Sequence, residues 1–380
     1  MSVYMFPGQG SQSKGMGDKL FALFPELTTT ASEILGYSIQ DLCIKDPYRQ
    51  LNDTRYTQPA LYVVNALSYR QRHRETSTRA NYLIGHSLGE FNALQASGAM
   101  SFEDGLKLVK KRGELMSMAP EGAMAAVIGL TETAVREMLK THSLTDIDIA
   151  NLNSPTQIIL SGSKESIIRA ATFFETRNIR YVPLNTSGAF HSRYMEAAKR
   201  EFESFLKNFA FSAPSIPVIS NVDARSYQAN CISANLAVQI THPVQWKKSI
   251  QYLLAQGEDN FEELGVGQVL TRLLAEIKKH PLSPILSADS VPIASIPIPV
   301  IQQPVALSHD RSQALAVLRQ QINAWNRNYP VGTQVKTASL EGPVATKTQA
   351  MMLFGHRAAI YLEGYDGYFE LSSIQPVKAN

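Results

Sequence analysis

The sequence has little of what disulfide-rich, zinc-stabilised or membrane-spanning proteins need. Only two of its 380 residues are cysteines, Cys43 and Cys231, and they form no C-x-x-C pair. This argues against a disulfide framework and against a structural zinc site. No run of about 18 apolar residues occurs, so no membrane span is expected. The N-terminus lacks the basic and apolar regions of a signal peptide, and the reducing cytoplasm is the expected location.

The chain also lacks a large excess of charge of either sign. Its 36 Lys and Arg residues against 33 Asp and Glu residues give a net charge of +3. That is too small to predict a nucleic-acid-binding protein. Apolar residues make up 44% and charged residues 18%, which predicts a sizeable buried core. At this length we expect one large domain with one or two smaller units.

The apolar pattern of the first 280 residues predicts an α/β fold. Val3–Phe6 and Tyr82–Ile84 are typical of short strands that end at glycine turns, and residues 89–99 combine good helix formers without proline. Between residues 123 and 182 the order becomes strand, helix, strand, strand, helix, strand, which is typical of a ferredoxin-like unit. Because α/β signals resume at Val218–Ser220, this unit is expected to be an insert.

The last hundred residues differ in composition. Residues 281–310 are rich in proline, serine and isoleucine, which predicts an extended linker. Arg311–Asn326 has the pattern of one amphipathic helix, and residues 329–377 predict a small antiparallel β unit. The expected domains are a core formed by residues 1–122 and 191–280, a ferredoxin-like subdomain at 123–190, a linker at 281–310, and a helix plus small β unit at 311–380.

A G-x-S-x-G motif at residues 85–89 puts Ser87 between a predicted strand and a predicted helix. In such a nucleophile elbow the glycines avoid collisions at a strained turn, which exposes the serine hydroxyl. The N-terminus of the following helix can stabilise an oxyanion. A purely structural glycine turn is the alternative for the pentapeptide alone. The flanking strand and helix favour the catalytic interpretation.

A serine nucleophile needs a base, and His191 is the best candidate among the eight histidines. It follows a predicted strand within S-G-A-F-H-S at residues 187–192, where small side chains allow another backbone segment to approach. His86 adjoins Ser87, but its side chain is expected to point away. A surface or packed role is the alternative for any single histidine.

Six motifs follow one another over roughly residues 1–280. They are F-P-G-Q-G-S-Q at 6–12, T-Q-P-A at 57–60, G-H-S-L-G-E at 85–90, K-R-G-E-L-M at 111–116, A-F-H-S at 189–192 and P-V-Q-W at 243–246. In this order they resemble the malonyl-CoA:acyl carrier protein transacylases, in particular the stand-alone type that serves polyketide synthases in trans. The chain departs from the family at residues 265–268, where G-V-G-Q replaces a more usual G-P-G. The resemblance implies an α/β-hydrolase-like core with a parallel sheet and an active site in the cleft beside the ferredoxin-like insert.

The resemblance also implies the catalytic groups. Ser87 would be the nucleophile and His191 its base, while the backbone N–H groups of Gln9 and Leu88 would form the oxyanion hole. The backbone carbonyl of Gln245 would orient the histidine in place of a carboxylate.

The remaining implied roles concern the substrate. Arg112 would bind the free malonyl carboxylate, because a guanidinium is a planar, two-pronged donor that matches it; a solvated helix charge is the alternative. Gln58 and Asn153 would border the pocket. Phe190 would leave little room for a substituent on the α-carbon, although a phenylalanine is as readily a core residue.

The implied reaction is ping-pong transfer of malonyl from malonyl-CoA through Ser87 to the phosphopantetheine thiol of an acyl carrier protein. It would serve polyketide or fatty acid biosynthesis, with no metal or redox cofactor. Malonyl-CoA and an acyl carrier protein, free or within a polyketide synthase, are the expected partners, and nucleic acid and membranes are not.

Three alternatives are open. An acyl hydrolase of the same fold would clear acyl groups from carrier proteins, but it has no use for a buried guanidinium such as that of Arg112. An esterase would want serine, acid and histidine in that chain order with an upstream H-G-G segment, and neither is clear. A non-catalytic carrier-binding module would not need both Ser87 and His191.

Overall fold

A computed structural model describes most of the chain, in two compact units, Met1–Ala288 and Asp289–Asn380. The described residues are 2–76, 79–280, 309–337, 340, 342–353, 357–365 and 368–377. The predicted linker at 281–310 therefore lies outside them, apart from its last two residues. Within these ranges no helix is long and apolar enough to cross a membrane.

The described part of the first unit contains eight strands and twelve α-helices. The strands are β1 Val3–Phe6, β2 Tyr82–Gly85, β3 Ala123–Ile128, β4 Ile147–Ser154, β5 Gln157–Gly162, β6 Arg180–Pro183, β7 Val218–Ile219 and β8 Phe261–Glu263. The helices are α1 Asp18–Leu23, α2 Pro25–Leu35, α3 Ile39–Lys45, α4 Thr54–Glu75, α5 Gly89–Ala96, α6 Phe102–Ser117, α7 Glu132–Thr141, α8 Lys164–Glu175, α9 Glu196–Leu206, α10 Ile232–Gln239, α11 Trp246–Ala255 and α12 Val269–Lys278.

A four-stranded parallel sheet forms the centre of this unit, in the order β7-β2-β1-β8. Every residue of β1 is buried, as expected for a parallel strand covered on both faces. Strands β1 and β2 pair in register and run into glycine-containing turns at the same edge of the sheet. In open α/β sheets this carboxyl edge is where ligands bind.

The insert is a second sheet of four antiparallel strands, in the order β4-β5-β3-β6, with α7 and α8 in its connections. This strand order and the β-α-β-β-α-β sequence are ferredoxin-like. The insert has its own apolar core, which includes Val127, Leu160 and Phe174. Backbone hydrogen bonds between β4 and Val244, each 2.9 Å long, join it to the α/β core. The predicted fold class is confirmed; the exact domain boundaries stay a prediction.

The described part of the second unit is a helix and two small antiparallel sheets, ordered β10-β9-β14 and β11-β12-β13. Its elements are α13 His309–Asn328, β9 Gln334–Thr337, β10 Val344–Ala345, β11 Met351–Leu353, β12 Arg357–Tyr361, β13 Tyr368–Glu370 and β14 Ile374–Pro376. Its apolar core includes Trp325, Val335, Ile360 and Leu362. The small, mostly β extension is as predicted.

Candidate active site

Ser87 lies on the tight turn between β2 and α5 with a φ of 52°, a left-handed conformation that is uncommon for a residue with a side chain. A Cβ atom at Gly85 would lie 1.9 Å from the carbonyl of Gly89, and one at Gly89 would lie 2.0 Å from the carbonyl oxygen of Phe6. Glycine is therefore required at both positions. The turn has the geometry of a nucleophile elbow.

Asn221, just after β7, holds this turn from both sides. The Ser87 N–H donates to Asn221 Oδ1 at 2.7 Å, and Asn221 Nδ2 donates to the Gly85 carbonyl at 2.7 Å. These two bonds help to offset the cost of the strained backbone. The sequence interpretation did not identify Asn221.

The His191 ring lies between Ser87 and a backbone carbonyl. Its Nε2 is 2.7 Å from Ser87 Oγ, and its Nδ1 is 2.8 Å from the carbonyl oxygen of Gln239. Because a carbonyl can only accept, Nδ1 carries the proton and Nε2 is free to accept one from the serine. Burial, followed by the charge of Arg112, lowers the pKa of His191 to about 3. The ring is therefore neutral and can act as a base.

The prediction that Gln245 supplies this carbonyl is wrong. Its carbonyl accepts instead from the backbone N–H and the hydroxyl of Ser249, in the first turn of α11. Gln245 is the N-cap residue immediately before α11, so its carbonyl points along that helix. Gln239, which ends α10, points its carbonyl at the histidine.

Gln9 and Leu88 lie on the two turns that meet at the carboxyl edge of the sheet. A Cβ atom at Gly8 would lie 2.3 Å from the His86 carbonyl oxygen, so the first turn approaches the elbow very closely. Within the described part of the chain, the backbone N–H groups of Gln9 and Leu88 donate to no other group. Two free donors beside a serine are what an oxyanion hole requires.

Arg112 is on the apolar face of α6, with Leu108, Val109 and Leu115, and is only 1% exposed. Its Nη1 donates to Gln58 Oε1 at 2.8 Å, and its Nη2 donates to Gln239 Oε1 at 2.8 Å and to Ser87 Oγ at 3.1 Å.

No carboxylate of the described residues forms an ion pair with Arg112, and its Nε has no partner there. Burial lowers the pKa of Arg112 to about 10, which leaves it a cation at neutral pH. A buried cation beside the nucleophile with unused donors is a ready site for an anionic group.

One cavity of about 290 Å³ brings the predicted residues together. Its lining includes Gln9, Gln58, Ser87, Leu88, Arg112, Asn153, Phe190 and His191. Strands of the insert supply an apolar wall with Met124, Ala126 and Ile159. The cavity is therefore a cleft between the α/β core and the insert, polar at Ser87 and apolar opposite it.

Phe190 and Asn153 occupy this cleft in different ways. The ring of Phe190 lies against Gly188, where a Cβ atom would be 2.8 Å from Cε1. Asn153 Oδ1 is 2.9 Å from Nε2 of His86, so it ties the insert to the elbow. The His86 ring also lies 5.4 Å from that of Trp246 and lines the same cavity.

The buried carboxylate of Glu90 was also missed by the sequence interpretation. Its Oε1 accepts from the Asn221 N–H at 2.7 Å and from the Tyr227 hydroxyl at 2.9 Å, and its Oε2 accepts from Gln239 Nε2. The motif G-H-S-L-G-E contained this residue. Only the fold shows that it contacts residues more than 130 positions away.

A parallel α/β sheet, a nucleophile elbow and a neutral histidine define a serine-nucleophile protein of the acyl-transferring class. The chain belongs to the acyl transferase domain family, whose model matches residues 3–295. It is 56% identical over 281 residues to the polyketide biosynthesis malonyl CoA-acyl carrier protein transacylase PksC of Bacillus subtilis, covering 73% of this chain and 98% of that protein.

Solved structures agree with this family. The malonyl CoA-acyl carrier protein transacylase of Burkholderia pseudomallei matches with a TM-score of 0.73 and 49% identity, over 74% of this chain and 99% of that one. A malonyl-transacylase solved in complex with a type II polyketide synthase acyl carrier protein matches with a TM-score of 0.70 and 33% identity, over 73% and 93% of the two chains. About a quarter of this chain is outside these matches.

Proposed function

We propose that this protein transfers malonyl groups from malonyl-CoA to the phosphopantetheine thiol of an acyl carrier protein. The observation that carries the proposal is Arg112, a buried cation that donates to the nucleophile and has no ion-pair partner among the described residues. An acyl group that ends in a carboxylate would supply the missing anion. A neutral acyl chain would leave the guanidinium without a directly bonded anion, which is costly in a buried site.

In the first half-reaction Ser87 Oγ attacks the thioester carbonyl carbon of malonyl-CoA, and its proton passes to His191 Nε2. The N–H groups of Gln9 and Leu88 hold the oxyanion of the tetrahedral intermediate. As this intermediate collapses, the carbon–sulfur bond breaks and the imidazolium returns its proton to the departing CoA thiolate. The product is a malonyl ester of Ser87.

The second half-reaction runs in the opposite direction with a new thiol. The carrier's phosphopantetheine thiol gives its proton to His191 while the sulfur attacks the ester carbonyl. The bond to Ser87 Oγ breaks, and the serine takes the proton back. No metal or redox cofactor is needed, because the bonds made and broken involve only these groups.

Arg112 does more than bind malonyl in this scheme. Its charge is one cause of the low pKa of His191. A carboxylate bound to Arg112 offsets that charge, so the pKa of the base rises when the correct acyl group is present. Malonyl binding therefore prepares the histidine to accept the serine proton.

The names of the relatives support the substrate, the partner and the setting. PksC is named for polyketide biosynthesis and for malonyl transfer to an acyl carrier protein. One solved neighbour is a complex with such a carrier. The expected setting is polyketide or fatty acid biosynthesis in the cytoplasm, where the free thiols of Cys43 and Cys231 would stay reduced.

Three structural assignments belong to the same proposal. Gln58 holds Arg112, Asn153 borders the cleft, and Phe190 limits the α-carbon substituent. The catalytic core is assigned to residues 1–122 and 191–280, and the subdomain that covers it to residues 123–190.

The test is intact-mass spectrometry of the protein mixed separately with malonyl-CoA, acetyl-CoA and methylmalonyl-CoA. We expect a malonyl adduct on Ser87, its transfer to an added phosphopantetheinylated carrier, and little adduct from the other two. Fast hydrolysis of the adduct without transfer would instead support the alternative of an acyl hydrolase. No malonyl adduct at all would overturn the proposal.

A further inference from the structure

Glu90 is a buried carboxylate linked through Gln239 to Ser87 and Arg112, and the proposed transfer reaction does not use it. It is fully buried, in the first turn of α5, three residues after the nucleophile. Every hydrogen-bond partner of its two oxygens is a donor: the Asn221 N–H, the Tyr227 hydroxyl and Gln239 Nε2. A site that offers three donors is built for the ionised form of a carboxylate.

The amide of Gln239 connects this carboxylate to Arg112. Its Nε2 donates to Glu90 Oε2 and, at 2.9 Å, to the Ser87 carbonyl, and its Oε1 accepts from Arg112 Nη2 at 2.8 Å. Only one orientation of the amide satisfies both ends, because a carboxylate needs a donor and a guanidinium needs an acceptor. The same residue supplies the backbone carbonyl that holds the proton on His191 Nδ1.

We propose that the ionised carboxylate of Glu90 is a positioning residue for malonyl selection. It orients the Gln239 amide so that Oε1 holds the Arg112 guanidinium toward Ser87. Glu90 and Arg112 thus form a buried pair of opposite charges with one amide between them. This deepens the proposed function and rests on it. Glu90 touches neither the nucleophile hydroxyl nor the base and acts through Gln239.

Loss of the charge on Glu90 would reverse the amide. The proton of a neutral side chain at this position needs an acceptor, which neither the Asn221 N–H nor Gln239 Nε2 can provide. A donor in the place of Oε2 faces Gln239 Nε2 directly. Gln239 would turn its Oε1 toward position 90 and its Nε2 toward Arg112, where two donors would face each other. The guanidinium would leave its place beside Ser87, and malonyl would lose its anchor while acetyl would be little affected.

The charged and titratable groups around Glu90 make this orientation dependent on pH. Burial raises the pKa of Glu90 to about 7, against the hydrogen bonds from Asn221, Gln239 and Tyr227, which lower it. Asp223 raises it further, Arg112 is one amide away, and His191, whose pKa is about 3, stays neutral through this range. As the pH falls through about 7, Glu90 gains a proton and the amide reverses.

The experiment measures the rates of Ser87 acylation by malonyl-CoA and by acetyl-CoA from pH 5 to 9. The ratio of the two rates is compared, because effects of pH on the serine and the histidine act on both substrates and cancel in the ratio. In the unaltered protein the ratio should fall below about pH 7. Glu90→Gln should lower it by about tenfold or more at pH 8, the size of one lost hydrogen bond to a charged group. It should also make the ratio independent of pH. Glu262→Gln, a surface carboxylate paired with Arg72, is the matched control and should behave as the unaltered protein.

Tyr227→Phe keeps the proposal testable if Glu90→Gln does not fold. It removes one donor that favours the ionised carboxylate, so the midpoint of the malonyl-to-acetyl ratio should move to higher pH. A purely structural role for Glu90 would not move that midpoint. A pH-independent ratio in the unaltered protein, an unchanged ratio in Glu90→Gln, or an unmoved midpoint in Tyr227→Phe would overturn the inference. Absence of any malonyl adduct in the unaltered protein would instead overturn the proposed function.

Discussion

The two units of this protein use their buried polar side chains differently. In the first unit Arg112, Glu90 and Gln239 are buried in one hydrogen-bonded group that includes Ser87. In the described part of the second unit the buried polar side chain is Thr346, which accepts from the Gly332 N–H at 3.0 Å and closes a turn. Burying polar groups is costly unless they are satisfied. The first unit bears part of that cost around a reactive serine, and the described part of the second bears it where the chain turns.

The largest expected effect comes from removing the nucleophile in the first unit. Ser87→Ala should abolish the malonyl adduct, because no other group of the site can form the ester. The unfolding free energy should change by less than about 1 kcal/mol, since the hydroxyl is on a turn and not in the core. Intact-mass spectrometry and a thermal melt measure the two. Ser68→Ala on α4 is the control, and a malonyl adduct persisting in Ser87→Ala would contradict the assignment.

The next effect separates the carboxylate site from the ester-forming groups. Arg112→Ala should slow malonyl transfer by about 10²-fold or more, because truncating one member of a desolvated charge pair costs roughly 2–5 kcal/mol. Acetyl transfer should fall much less, or even rise, since the charge that lowers the pKa of His191 is gone. Initial acylation rates with both CoA esters measure this.

Two further variants sharpen the interpretation of Arg112. Arg112→Lys should recover little, because a compact ammonium cannot reproduce the planar, two-pronged geometry with which the guanidinium reaches Gln58, Gln239 and a carboxylate. Lys111→Ala, the neighbouring residue on α6, should have no effect. Equal losses for malonyl and acetyl in Arg112→Ala would show that the arginine is structural.

The residues that the sequence could predict are those whose side-chain type the chemistry dictates. Ser87, His191 and Arg112 are recognisable because a hydroxyl, an imidazole and a guanidinium cannot be exchanged for other groups. The carbonyl that orients His191 can come from any residue, so the family resemblance implied Gln245 where the fold uses Gln239. The roles of Asn221 and Glu90 could not be predicted from the sequence, because their contacts link positions more than 130 residues apart. The strand and helix order of the insert was predictable from local periodicity.

A smaller effect is expected where the cleft limits the acyl group. Phe190→Leu should raise the rate of methylmalonyl transfer relative to that of malonyl transfer by roughly tenfold. Space for about one additional methylene in an apolar pocket usually has an effect of this size. A competition between the two CoA esters, read by mass spectrometry, measures the ratio. Phe174→Leu, in the separate core of the insert, causes a similar loss of packing away from the cleft and should leave the ratio unchanged. An unchanged ratio in Phe190→Leu would make this ring a core residue only.

The smallest effect should follow removal of the whole second unit. A chain ending at Ala288 keeps Ser87, His191, Arg112, Glu90 and Gln239, and every residue that lines the cavity. The match to PksC covers 98% of that protein within 281 residues of this chain, so the relative has little room for a counterpart of the second unit. We therefore expect the shortened chain to form the malonyl adduct at the rate of the full chain. Transfer from the adduct to a partner carrier protein, measured in the same samples, would fall only if the second unit contributes to carrier recognition. A folded, soluble chain ending at Ala288 that cannot form the adduct would contradict this division of roles, because it would make the second unit part of the active site.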